Sequence, residues 1–470
     1  MSENINRRGF IQKTALAGAG IALAPALLKA QAAGADAPKF KNLVDPSRKI
    51  RVAAVGCGGQ AVPNLGTIRG AKDPHTKENM VEFVAFCDTD FDRASARFHE
   101  DPDVPRYKDY RKMFAEMKDQ IDAVFVTVPD HMHFPVASLA ISLGKHVYVE
   151  KPATHTIGEA RALKALAKKH GVVTQMGNHG HAYDGCRLLK EWIDYGVIGD
   201  VTDVHIWTNR PVWPQGLTPD TSAKYEVPET LDWNLWLGVS PEVPYDPRYV
   251  PFNWRGVWEW GTGAIGDMAC HMVDPIFTAV NMRGDVKVTP YSEEATEFSP
   301  GKRGKLVYEF APNGKRKAMK MTWYEGGLRP KKEDLPEGVF TDGDLNRGNG
   351  MIYVGTKGVI MDTDDYGTKA MLMPKEKMEE FNKTVRRQIP ETMPRVLPHR
   401  NSRLEFLDAV KGGPVPGSNL VDHSADLTEL GLLGILAFRM NKVIDWDYKK
   451  GVARGLPEAN KFIHKNYRKF

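Results

Sequence analysis

"RKIRVAAVGCGGQA", residues 48–61, decides how this chain folds. Ile50 to Val55 is a short apolar run, and it passes without a break into Gly56, Gly58 and Gly59. Such a run reads as a buried strand that must turn sharply at its carboxyl end. Gly56, Gly58 and Ala61 stand in the pattern GxGxxA. The glycines let the backbone turn tightly and come close to a ligand, and the first turn of the following helix leaves N–H groups free for an anion.

Outward from this turn the same form repeats. "VEFVAFCD" (81–88) is a second strand ending on an acid, and "IDAVFVTVPD" (121–130), "KHVYVEKP" (145–152) and "VVTQMGN" (172–178) follow it. "TIGEARALKALAKKHG" (156–171) reads as a helix with Thr156 as N-cap and Gly171 as its stop. Strands alternating with helices predict a doubly wound parallel sheet, a Rossmann domain over residues 48–178. Asp88 falls where a ribose-binding acid belongs. A carboxylate there accepts from both ribose hydroxyls and repels a 2′-phosphate, which favours NAD over NADP.

From residue 179 the texture changes. A helix at "GCRLLKEWIDYG" (185–196) precedes strand-like "DVTDVHIWTN" (200–209) and an aromatic, proline-rich insertion from Pro211 to Trp260. "KLVYEF" (305–310), "KAMKMTWYEG" (317–326), "MIYVGTKGVIMDTD" (351–364) and "AMLMP" (370–374) read as further strands. Residues 179–470 therefore predict an α+β domain on a large, mostly antiparallel open sheet. Residues 326–349 read as a functional surface loop, and helices near 401–411 and 423–443 as elements returning to the core.

Before the first strand stands "NRRGFIQKTALAGAGIALAPALLKAQAAG" (6–34), and residues 1–35 read as a signal segment and linker. Arg7–Arg8 ahead of a short apolar run resembles the twin-arginine export signal, and Ala30-Gln31-Ala32 fits a cleavage site. The expectation is a periplasmic or otherwise exported protein with no stable membrane anchor, handled by the twin-arginine machinery. Residues 1–32 hold four cations and Glu3, so without them the formal charge of +5 falls to +2. Nucleic-acid binding gains no support from that balance. Cys57, Cys87, Cys186 and Cys270 show no metal or redox spacing and read as small buried residues.

Two further segments carry chemistry. "YVEKPATH" ends a strand with Glu150-Lys151-Pro152, and Pro152 keeps Lys151 out of helical geometry, so the side chain is aimed from the end where ligands bind. "WEWGTGAIGDMACHMVD" (258–274) places Asp267 and His271 four residues apart on one helix face. Gly261, Gly263 and Gly266 read as leaving room for something to approach the helix start. Seven of the ten tryptophans lie between residues 207 and 260. Most are expected in the core, with one or two, Trp254 beside Arg255 among them, facing a sugar.

In combination, GxGxxA at Gly56, Asp88, "TVPDHMH" (127–133), "EKP" at Glu150 and "GDMACH" ending at His271 resemble the glucose–fructose oxidoreductase / inositol dehydrogenase / MocA family. The resemblance implies an NAD(P)-dependent oxidoreductase. Gly56, Gly58, Gly59 and Ala61 would hold the pyrophosphate and Asp88 the ribose. Pro129, His133, Glu150, Lys151 and Asn178 would lie along the cofactor. It implies Lys151, Asp267 and His271 as the catalytic group: His271 takes a hydroxyl proton, Lys151 steadies the oxygen and Asp267 orients. His179, His181, Trp254 and Arg255 are candidate substrate contacts. No metal is expected, because no acid or cysteine cluster completes a site around His179, His181 and His271.

A homo-oligomer is expected, since relatives pair through the open face of the second sheet. An exported nicotinamide enzyme must keep its cofactor and restore it within each cycle. That leaves an oxidoreductase acting on a sugar, polyol or glycoside hydroxyl, or a glycoside hydrolase working by oxidation, elimination, hydration and re-reduction. A non-catalytic sugar-binding protein on the same fold is the third alternative.

Overall fold

The computed structural model describes residues 40–74, 76–220, 222 and 224–470. The twin-arginine segment and its cleavage site lie outside the described residues. Among the described residues no helix is long and apolar enough to cross a membrane.

Six parallel strands form the first sheet. They are β1 (Ile50–Val55), β2 (Val81–Cys87), β3 (Arg106–Tyr107), β4 (Ala123–Val126), β5 (His146–Val149) and β6 (Thr174–Met176), in the order β3-β2-β1-β4-β5-β6. The order reverses at β1, so a cleft opens at the carboxyl ends of β1 and β4, where open α/β sheets bind ligands. β1, β4 and β5 are buried on both faces apart from part of Arg51, as an interior parallel strand requires. The helix Ile157–His170 carries a full capping box. Glu159 N–H donates to Thr156 Oγ1 at 3.3 Å, Thr156 N–H donates back to Glu159 Oε2 at 2.9 Å, and Gly171 ends the helix in the left-handed region.

The second sheet has nine strands. β7 (Val201–Trp207), β8 (Val286–Glu293), β9 (Arg303–Phe310), β10 (Met319–Glu325), β11 (Gly350–Gly355), β12 (Val359–Asp362), β13 (Met371–Met373), β14 (Ile444–Asp447) and β15 (Val452–Ala453) run in the order β13-β12-β11-β7-β10-β9-β8-β14-β15. Every pairing is antiparallel except β10 with β7. β8, β14 and β15 escape the sequence reading because Pro290 interrupts the first and the others are only four and two residues long.

One difference from the sequence reading lies over the second sheet, while the two late helices return to the core as expected. Residues 326–349 are not simply a surface loop: Leu335, Phe340 and Leu345 pack on Trp207, Tyr324 and Ile352, covering part of the second sheet. The helix Ser402–Val410 packs on the first sheet, with Phe406 edge-on to Phe125 and Tyr148. The helix Ala425–Met440 is buried on nearly every face and lies between the two sheets' layers, against the helices Ile157–His170 and Gly263–Met272.

Candidate active site

The glycine turn is built as its pattern demands. Gly56 has φ +85°, and a Cβ there would overlap the Thr127 carbonyl at the end of β4. Gly58 has no room for a side chain either, because the Arg93 stem fills that space at 2.6 Å. Ala61 is fully buried and opens the helix Ala61–Arg69. At the end of β2 the Asp88 carboxylate accepts from the Cys57 N–H at 2.7 Å and the Asp90 N–H at 3.0 Å. Burial raises its pKa above the usual carboxylate value, and these two donors oppose that rise. The four cysteines are buried and unpaired.

A cavity of about 350 Å³ runs from this turn across the seam between the sheets. At one end lie Gly56, Gly58, Gly59 and Asp88, and along its floor Pro129, His133 and Glu150. At the other end lie Lys151, Asp267, Trp254 and Arg255. Glycines with no space for a side chain, a carboxylate beside them and a helix start fit the pyrophosphate and ribose of a dinucleotide.

Glu150 is fixed from three sides. Its Oε1 accepts from Asn64 Nδ2 at 2.8 Å, its Oε2 from the Lys151 N–H at 3.2 Å, and a Cβ on Gly177 would come within 2.6 Å of it. Behind it a polar chain continues: Arg403 Nε donates to Asn64 Oδ1 at 2.7 Å, and Arg403 Nη2 lies 3.1 Å from His179 Nε2. His179 is therefore held at the back of Glu150, off the cavity wall. Both of His133's ring nitrogens face carbonyls, Pro152 at 2.6 Å and Val128 at 2.9 Å.

Lys151 Nζ donates to Asp267 Oδ1 at 2.6 Å and to the Asp267 carbonyl at 3.0 Å. Burial alone would lower the Lys151 pKa, but the Asp267 carboxylate outweighs it and holds the ammonium above its usual value. Burial likewise opposes ionisation of Asp267, yet Lys151 and then Arg255 bring its pKa down to about 2. Arg210 Nε stands 3.5 Å and Arg255 Nε 3.9 Å from the same carboxylate. The Arg255 guanidinium lies over the Phe252 and Trp254 rings at 4.5 and 4.3 Å. One helical turn on, His271 is buried, edge-on to Tyr366 at 5.2 Å, and its Nδ1 has no hydrogen-bond partner. Burial, and after it the charge of Lys151, hold this imidazole well below the usual histidine range, so it is neutral.

The structure does not bring every candidate to the cavity, and His271 is not among the residues that line it. Asn178 spends its amide on Asp274 and Ser418, at 3.0 and 2.6 Å. His181 bonds Asp274 at 2.9 Å, and His423 bonds the same carboxylate at 2.6 Å. Among the described residues these three are one buried group of ligand-type side chains. It pairs His181 with His423, not with the His179 and His271 considered from the sequence. Its contacts have hydrogen-bond lengths, and Asn178 takes up the carboxylate as well.

Two of the glycines before Asp267 make room for groups of the protein itself. Gly261 makes room for the Arg255 backbone at 2.5 Å and Gly266 for the Thr262 side chain, so they serve packing rather than ligand approach. Thr262 is the anchor: its N–H and hydroxyl donate to the Asp130 carboxylate at 3.1 and 2.7 Å. That pair ties the start of the helix Asp130–Ser142 to the start of the helix bearing Asp267. Sequence reasoning missed Asp130, Thr262, Arg210, Asn64 and Arg403, although "VPDH" and "NRP" carried the first and third in plain view. Of the seven clustered tryptophans only Trp236 and Trp254 line the cavity.

Comparison with known proteins gives the family. Residues 50–178 match the model of the Gfo/Idh/MocA oxidoreductase family's NAD-binding Rossmann fold, and residues 187–299 that of its C-terminal alpha/beta domain. Together they cover just over half of the chain, which belongs to this family. The D-glucoside 3-dehydrogenase of Escherichia coli is 28% identical over 33% of this chain and 42% of its own. A dTDP-3,4-didehydro-2,6-dideoxy-alpha-D-glucose 3-reductase of Actinomadura kijaniata is 29% identical over 36% of this chain and 48% of its own. The chain thus spans less than half the length of these curated relatives. The WlbA dehydrogenase of Bordetella pertussis, solved with NADH and UDP-GlcNAcA, shares the fold with TM-score 0.57 at 18% identity, over 85% of this chain and 99% of that one.

Proposed function

We propose that this protein is an exported NAD-dependent oxidoreductase that removes hydride from a sugar, polyol or glycoside hydroxyl carbon and keeps its cofactor between half-reactions. The observation that carries the reading is the single cavity joining the Gly56 turn and Asp88 to the Lys151–Asp267 pair. Relatives named as a D-glucoside 3-dehydrogenase and a levoglucosan dehydrogenase support a carbohydrate substrate.

Bound dinucleotide would supply the hydride acceptor, and the chain's own residues do the rest. Lys151, kept protonated by Asp267, donates a hydrogen bond to the reacting oxygen and steadies the charge that develops there. His271, neutral and one turn from Asp267, takes the hydroxyl proton. Asp267 keeps Lys151 aimed and accepts a neighbouring substrate hydroxyl. Asp88 selects NAD over NADP by excluding a 2′-phosphate. Trp254 and Arg255 present an aromatic face and a guanidinium to the ring. The export reading rests on Arg7–Arg8 and the apolar run behind them.

Incubating purified protein with aryl glycosides and no added acceptor tests the reading. A single-turnover change in nicotinamide absorbance, relieved by a second carbonyl substrate, is the expected result. Sustained aglycone release at constant absorbance would replace it with redox-neutral hydrolysis. Binding without either would leave only a sugar-binding protein.

A further inference from the structure

We propose that the aromatic insertion and the segment His464–Phe470 form a roof over the adenosine half of the cofactor cleft, and that Leu231, Trp236 and Phe470 contact the dinucleotide and slow its release. This rests on the NAD reading above. The expectation that the insertion serves the sugar accounts for Trp254 and Arg255 but not for Leu231, Leu235 and Trp236, which also line the cavity.

The insertion is zipped to the residues that follow Asp88. Leu231 forms a β-bridge with Asp90. The Phe91 N–H donates to the Thr230 carbonyl at 3.1 Å and the Asp232 N–H to the Thr89 carbonyl at 2.8 Å. Lys108 Nζ reaches the Glu229 carbonyl at 3.4 Å. Leu231, Leu235 and Trp236 thereby line the same cavity as Asp88 and Arg93. Trp236 is locked from behind, stacked on Trp233 at 4.7 Å and edge-on to Trp260 at 5.3 Å.

Phe470 closes the neighbouring side. Its ring lies 4.1 Å from the Arg111 guanidinium, and it lines the cavity beside Lys108, Asp109 and Tyr110 at the end of β3. The segment before it is tied to both domains. Tyr467 Oη donates to Glu159 Oε1 at 2.6 Å, the Arg468 N–H to the Val239 carbonyl at 3.0 Å, and Arg468 Nε to the Ser240 carbonyl at 2.9 Å.

A base has apolar faces and gains by stacking or packing on rings and aliphatic side chains. An open Rossmann cleft releases its ligand without breaking protein contacts. Here two backbone hydrogen bonds and a β-bridge hold the insertion against the residues after Asp88, so that release is coupled to their local opening.

The test uses full-length protein as purified, with dinucleotide content read by mass spectrometry after denaturation and release read by chase with isotopically labelled NAD. Wild type should retain its dinucleotide through dialysis, and Phe470→Ala and Leu231→Ala should each release it about tenfold faster. Hydrogen exchange on wild type gives an independent reading: residues 228–238 should gain protection when NAD is added to stripped protein. Unchanged release in both variants, or unchanged protection on adding NAD, overturns the roof while leaving the NAD reading intact. Wild type that binds no dinucleotide at all removes both.

Discussion

The Lys151 ammonium reaches across the domain seam to Asp267, donating to its carboxylate at 2.6 Å and to its carbonyl at 3.0 Å. One residue comes from the end of β5 and the other from the helix Gly263–Met272, so the pair links the two sheets' layers. It also keeps a protonated donor and an ionised acceptor side by side at neutral pH.

Lys151→Met removes the donor but keeps the stem. Turnover should fall about 100-fold or more, while dinucleotide binding changes little. Steady-state kinetics beside cofactor content checks both halves.

Asp88→Ser should relax cofactor choice. Without the carboxylate a 2′-phosphate is no longer repelled, and Arg93, which lines the same end of the cavity, is placed to receive it. Wild type should prefer NAD by about tenfold or more, and the variant should narrow or reverse that ratio in titrations with both dinucleotides.

Gly56→Ala puts a Cβ against the Thr127 carbonyl at a φ of +85°. Strain of this kind costs about 1–3 kcal/mol or more. Thermal unfolding should shift down, and dinucleotide should no longer accompany the purified protein.

Glu325 gives a pH dependence with a definite sign. It is buried, accepting from Trp323 Nε1 at 2.8 Å, and burial raises its pKa to about 7. A carboxyl raised above its unfolded value contributes fully below about pH 4.5, and the contribution is lost as pH rises through about 7. Glu325→Gln keeps the acceptor without the charge. Its stability should exceed wild type's above pH 7 by on the order of 2–3 kcal/mol and approach it at pH 4, as followed by denaturant melts across that range.

The local motifs were legible because each lies within one strand end or one helix turn. Gly56, Asp88, Glu150 and Lys151 could be placed at the mouth of a parallel sheet from alternation and glycine spacing alone. The Asp267–His271 pair followed from helical period. What sequence did not yield were contacts between distant segments: Arg210 on Asp267, Thr262 on Asp130, Arg403 on Asn64 and Phe470 at the cleft. Gly261 and Gly266 leave room as their pattern suggests, but a glycine pattern does not say whether ligand or protein fills the space. Residues 326–349 look like a loop by composition, yet Leu335, Phe340 and Leu345 are apolar enough to cover the sheet.

The most direct test mixes the protein, loaded with one equivalent of NAD, with an excess of sugar or glycoside in a stopped-flow instrument and follows reduced nicotinamide. The role assigned to Lys151 requires a single burst of about one equivalent in wild type, absent in Lys151→Met although that variant still holds the dinucleotide. An equal burst in Lys151→Met would contradict it.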